Sequence, residues 1–139
     1  MKKIHKILIS LVLLLSVGIG TYLLIGNKVT EAKTPYKEIT QKQLQEKISN
    51  NEKTIVYYYK KDCQYCKQAS PLIKNSVKAF KADIYQIEVD KYDGIWEERN
   101  MVGTPTIVYY KGGYEISRLE GVKTQEMYNR WFSAMKKVN

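Results

Sequence analysis

From residue 7 to residue 25 the chain reads ILISLVLLLSVGIGTYLLI, an apolar run without a single charge; beyond it, apolar positions come in short strand-like or helix-spaced groups. The first pattern is close to the ~20 residues that a helix needs to cross a bilayer. The second predicts a folded domain. Thr40 and Gln43 form a capping-box pair, and Leu44 and Ile48 repeat at helical spacing, which predicts a helix over 40–49. Residues 54–59, TIVYYY, have the β-branched and aromatic make-up of a buried strand. Helical character follows over 63–81, with a kink expected at Pro71. Residues 84–89 read as a second strand, 95–101 as a short helix and 105–110, PTIVYY, as a third strand. Lys111-Gly112-Gly113 signals a hairpin into a fourth strand at 114–119. Met127, Trp131, Met135 and Val138 are expected to share the buried face of a closing helix. This order describes an α/β fold, a central mixed β-sheet with helices on both faces.

The flanks of the apolar run set its orientation. Lys2, Lys3 and Lys6 precede it, so the positive-inside rule places residues 1–6 in the cytoplasm, 7–25 as a transmembrane anchor and the remainder outside. The polar run 26–35, GNKVTEAKTP, suits a tether, and 36–139 form the domain. A cleaved signal peptide begins similarly, but its apolar stretch is shorter and ends at a small-residue site, whereas this one runs into Gly26-Asn27-Lys28. Either reading exports the domain. The net charge of +9 stays positive without the flank lysines. Nucleic acid is not the expected partner of an exported domain whose lysines are scattered; a solvated surface or attraction to an anionic envelope accounts for them.

The chemistry centres on Cys63 and Cys66, the chain's 2 cysteines, spaced Cys-Gln-Tyr-Cys between a strand and a helix. A turn entering a helix brings such sulfurs within disulfide reach, and the unpaired N–H groups of the helix start favour a thiolate on the first. A static structural disulfide is the alternative, but a bond across two residues closes so small a loop that it constrains the unfolded chain little. A zinc site needs about four ligands, and the single histidine, His5, lies across the expected membrane, so neither metal nor other cofactor is expected. The 12 tyrosines are expected mainly as core packing, except Tyr65, which sits between the cysteines and is expected to be exposed, either as part of the substrate-facing surface or as a merely tolerated side chain.

These features together resemble the thioredoxin family over residues 36–139. The cysteine motif follows the first central strand, Pro71 lies five residues after Cys66, Thr104-Pro105 opens the third strand, and Gly121 follows the fourth. The resemblance implies a thioredoxin fold after one N-terminal transmembrane helix. It also implies that Cys63 and Cys66 are catalytic, and that a cis Thr104–Pro105 bond packs against them so that the Thr104 backbone can pair with an extended substrate. A trans proline opening a strand is the alternative at Pro105. The implied partners are protein thiols or disulfides and a redox partner that recycles the pair. In layout the chain is similar to the short membrane-anchored thioredoxin-like proteins associated with bacteriocin production and disulfide formation.

Three positions depart from the family pattern. Asp62 stands where a tryptophan usually precedes the first cysteine, and its charge opposes a thiolate unless Lys60, Lys61 or Lys67 offsets it. Tyr57 and Gln86 stand where the family carries a buried acid and a lysine. A reductase needs a base to deprotonate its second cysteine, whereas an oxidant needs a good thiolate leaving group, so the missing acid leans the reading towards oxidation. An exported location leans the same way. Glu88 as a substitute base favours the reductase alternative. A redox-inactive binding or chaperone-like module with a static disulfide is the reading from another class.

Overall fold

The computed structural model describes residues 35–138. The expected cytoplasmic flank and transmembrane anchor, and all but the last residue of the expected tether, lie outside these residues. Among the described residues no helix is long and apolar enough to cross a membrane.

The elements follow in chain order as β1 (Tyr36–Glu38), α1 (Gln41–Ser49), β2 (Thr54–Tyr59), α2 (Gln64–Phe80) and β3 (Ile84–Glu88). A single 3-10 turn, Val89–Lys91, leads to α3 (Ile95–Glu98), β4 (Thr106–Lys111), β5 (Tyr114–Glu120) and α4 (Gln125–Lys137). The strands form one sheet in the order β1-β3-β2-β4-β5. β3 runs parallel to β1 and β2, while β4 is antiparallel to β2 and β5, so the sheet is mixed as expected.

Strand alternation divides the core. Tyr57, Ile107 and Tyr109 face α2 and α4, where they pack with Ala69, Ile73, Tyr128 and Phe132. Val56, Tyr58, Val108 and Tyr110 take the opposite face and meet Leu44, Ile48 and Ile95. On that second face the Tyr58 and Tyr110 hydroxyls satisfy each other at 3.0 Å. The tyrosine-rich strands are thus core strands, with the buried tips of Tyr58 and Tyr110 paired to each other and that of Tyr109 left without a hydrogen-bond partner among the described residues.

Several expectations needed adjusting. β1 was not expected. It is only three residues long, and its one buried side chain, Tyr36, donates to the Ser70 carbonyl at 3.0 Å. α3 stops at Glu98 rather than continuing to 101. The helix expected over 63–81 is present as α2, with Pro71 inside it. The buried face of α4 consists of Tyr128, Trp131 and Phe132, whereas Met127 and Val138 are exposed.

Candidate functional site

β2 delivers the chain to the cysteine turn, and Cys63 is the N-cap of α2. Its sulfur accepts the Cys66 backbone N–H at 3.0 Å, taking the place that a serine or aspartate oxygen holds in an ordinary cap. Two further contacts come from the loop before β4. The Thr104 hydroxyl and the Thr104 carbonyl each lie 3.5 Å from Cys63 Sγ, the first as donor and the second as acceptor. The Thr104–Pro105 bond is cis. The far side of this loop is tied down by Gly121, whose N–H donates to the Pro105 carbonyl at 2.7 Å. Gly121 has φ +72°, a conformation that glycine adopts without penalty.

The two thiols differ in setting. Both are free, Cys63 half-buried and Cys66 buried. Burial pushes the Cys63 thiol up, but hydrogen bonds from Cys66 and Thr104 and from the backbone N–H groups at Cys66 and Tyr65 outweigh it, leaving its pKa below the ordinary value. Burial raises Cys66, and the hydrogen bond it shares with Cys63 raises it further. The structure therefore favours the thiolate on Cys63 and the thiol on Cys66. Hydrogen bonds are what lower Cys63, and Lys60, one of the three lysines that could offset Asp62, pairs with Asp90 at 3.1 Å. Among the described residues no group of three or more histidine, cysteine or acidic side chains is placed to hold a metal ion.

A mixed five-stranded sheet with a half-exposed cysteine capping one helix, a buried cysteine one turn later and a cis-proline loop against the first sulfur is a specific arrangement. The thioredoxin family model matches residues 35–134. The chain belongs to the thioredoxin family. It is 27% identical over 74 residues to thioredoxin-2 of Saccharomyces cerevisiae, a match covering 52% of this chain and 71% of that protein. Mitochondrial thioredoxin-2 of Schizosaccharomyces pombe is 32% identical over 81 residues, covering 56% of this chain and 61% of its own length. The solution structure of oxidised thioredoxin from Plasmodium falciparum superposes with a TM-score of 0.60 at 25% identity, covering 71% of this chain and 96% of that one. With its cysteine pair, this member is a thiol–disulfide oxidoreductase.

Within the family frame, the second cysteine has an altered surrounding. A cavity of about 280 Å³ reaches Cys66, and its lining includes Tyr57, Gln86, Lys60 and Lys67 but no carboxylate. Tyr57 and Gln86 are directly paired across β2 and β3. The Tyr57 hydroxyl donates to the Cys66 carbonyl at 3.4 Å, and burial keeps the phenol protonated far above neutral pH. Glu88 does not take the missing acid's place. It pairs with Lys91 at 3.0 Å and lines a different cavity, beside Glu38 and Thr40.

The structure thus brings Cys63, Cys66, Thr104 and Pro105 together. Tyr65, between the cysteines, is 64% exposed. The sequence reading passed over Val102, two residues before Thr104 and 82% exposed. An apolar side chain beside Gly103 in a turn-forming stretch was the available signal. It also passed over Arg118, which donates to the Arg99 and Asn100 carbonyls at 3.0 and 2.9 Å and so pins the start of the cis-proline loop.

Proposed function

We propose that this thioredoxin-family protein is a membrane-anchored, extracytoplasmic oxidant of protein thiols, with Cys63 as the exchanging cysteine and Cys66 as its resolving partner. One observation carries the direction: besides Cys66, the cavity is lined by tyrosines, a serine, a glutamine and lysines, with no acid to take the Cys66 proton. In the oxidised protein, a substrate thiolate attacks Cys63 and forms a mixed disulfide. The Cys63–Cys66 bond breaks, and Cys66 departs with the electron pair and then takes up a proton. A second substrate thiolate attacks the substrate sulfur of that mixed disulfide. Cys63 leaves as the thiolate its hydrogen bonds already favour. Two electrons have passed to the cysteine pair, and a recycling partner must remove them. Run in reverse as a reductase, the same site has to deprotonate Cys66 without an acid beside it; because the raised Cys66 pKa also makes it the poorer leaving group in the forward direction, the lean rests on the missing acid and not on that shift.

Thr104 and Pro105 supply the substrate platform, the Thr104 backbone offering an edge to which an extended peptide can add. Tyr65 and Val102 give that platform exposed apolar contacts. The anchor and the external location rest on the uncharged run at 7–25 and the lysines before it. The resulting layout is that of the bacteriocin-associated, disulfide-forming type.

The reduction potential tests the direction. An oxidant is expected at about −120 to −180 mV; a value near −270 mV would assign the reductase role instead. Below about −300 mV the pair would be a static structural bond. Cys63→Ser is expected to abolish oxidation of reduced ribonuclease, and Cys66→Ser to accumulate a mixed disulfide that dithiothreitol releases. Undiminished oxidation by Cys63→Ser removes Cys63 from the reaction.

A further inference from the structure

A second cavity of about 260 Å³ lies away from the cysteines. It takes in Lys53 and Ile55 at the start of β2, whereas Cys63 follows the end of that strand. It also takes in Phe80 and Lys81, at the end of the helix that Cys63 begins. A helix of α2's length separates its ends by roughly 25 Å at 1.5 Å per residue. The exchange chemistry does not use this place.

Its lining is divided by polarity. Phe132 is buried and Phe80 and Met135 are partly buried, forming an apolar interior. Lys53, Lys81 and Lys136 contribute to the same lining and are exposed. The one acid among the lining residues, Asp83, is paired with Lys37 at 2.7 Å. Tyr109 also lines the cavity. It is only 3% exposed, and its buried hydroxyl has no hydrogen-bond partner among the described residues. A buried hydroxyl is almost always paired, because leaving it unpaired forfeits its hydration without return.

We infer that this cavity is a binding site for a small amphiphilic anion, with an apolar or aromatic body against Phe80, Phe132 and Met135, a polar atom on the Tyr109 hydroxyl and an acidic group among the lysines. Apolar walls, a few placed polar groups and a concave form are the features of small-ligand sites, and the three cations select the sign of the charge. The ligand's acid is a carboxylate of a soluble molecule or the headgroup of an anionic lipid.

The test uses the full chain in phosphatidylcholine nanodiscs, with 3-phenylpropionate as probe and 3-phenyl-1-propanol as its neutral counterpart. Binding is followed by the methyl resonance of Met135. The acid is expected to bind at least tenfold more tightly than the alcohol. Tyr109→Phe removes only the unpaired hydroxyl, so it is expected to raise Tm without probe yet weaken acid binding about tenfold, the loss of roughly one hydrogen bond. Replacing Lys53, Lys81 and Lys136 with glutamine is expected to abolish the preference for the acid. Ribonuclease oxidation is expected to be unchanged in each variant. Equal binding of acid and alcohol, an unmoved Met135 resonance, or full affinity in Tyr109→Phe overturns the site. Repeating the titration in nanodiscs containing phosphatidylglycerol identifies the source. Competition by that lipid supports a headgroup, and its absence supports a soluble acid.

Discussion

At the scale of single residues the site depends on where one proton resides. Cys63 occupies a cap position where the donors to its sulfur are the Cys66 thiol, the Thr104 hydroxyl and backbone N–H groups, all held in place by the fold. Such donors favour the thiolate and cost little reorganisation when it forms. Because the folded pKa is lowered, Cys63 contributes to the stability of the reduced protein above the unfolded value, near 8.5. That contribution is lost as pH falls through the folded pKa. Cys66 has the opposite sign, since a raised thiol pKa costs stability as pH rises past the unfolded value. Alkylation of the reduced protein by iodoacetamide across pH, mapped by mass spectrometry, is expected to give Cys63 the lower midpoint and Cys66 a slower reaction with the higher one. Coincident midpoints would falsify the assignment of the thiolate to Cys63. Tyr57 permits a complementary experiment. Tyr57→Asp places a carboxylate beside Cys66, so resolution of a Cys63 mixed disulfide is expected to accelerate about tenfold or more at neutral pH, in stopped-flow measurement. The same change is expected to cost roughly 3 kcal/mol in denaturant unfolding, because a packed aromatic is lost and a charge is buried. An unchanged resolution rate would mean that the missing acid does not limit the reaction.

At the scale of elements, the chain announces some parts of itself better than others. The strands TIVYYY and PTIVYY were legible because every second side chain is needed on one face, and both faces of this sheet are covered. The cysteine turn and its proline loop were legible because each depends on a residue type with few substitutes. β1 was not, since Tyr-Lys-Glu carries no period in three residues and becomes a strand only beside β3. The face of α4 was misread for a geometric reason. At about 100° per residue, Met127, Trp131, Met135 and Val138 also fall on one side of the helix, but Tyr128, Trp131, Phe132 and Met135 form a stripe centred roughly 50° further round, so the expected face shares Trp131 and Met135 with the buried one and is rotated away from it. Arg118 was invisible because its partners are the carbonyls of Arg99 and Asn100, set by backbone position rather than side-chain identity. With Glu115 at 2.6 Å and Glu120 at 3.0 Å holding its guanidinium, it joins β5 to the segment leading into the cis-proline loop. Arg118→Ala is expected to lower unfolding free energy by about 1–3 kcal/mol and to raise KM for reduced substrate more than it lowers kcat. A variant of wild-type stability and KM would show that the β5 bridge does not position the loop.

At the scale of the molecule, the direction of the chemistry depends on the compartment. The same cysteine pair would be drained of oxidising power by a reducing thiol pool, whereas outside the membrane a recycling partner can keep it oxidised. In the sequence Lys2, Lys3 and Lys6 precede an uncharged run, and the domain follows it. If the lysines hold the N-terminus inside, Cys63 faces outward and its half-exposed sulfur is open to reagents that cannot cross the bilayer. In intact cells expressing the full chain, a membrane-impermeant maleimide is therefore expected to label Cys63 after mild external reduction, with little gain on lysis. Without that reduction, labelling is expected to be low, because a working oxidant is held mainly as the disulfide. Labelling that appears only after lysis would place the domain in the cytoplasm, and strong labelling without reductant would mark a reductase held as the dithiol. Exchanging Lys2, Lys3 and Lys6 for glutamate provides the internal control: if the run at 7–25 spans the membrane as proposed, this removes the charge that would orient it and is expected to reduce external labelling while leaving the reduction potential of the domain unchanged.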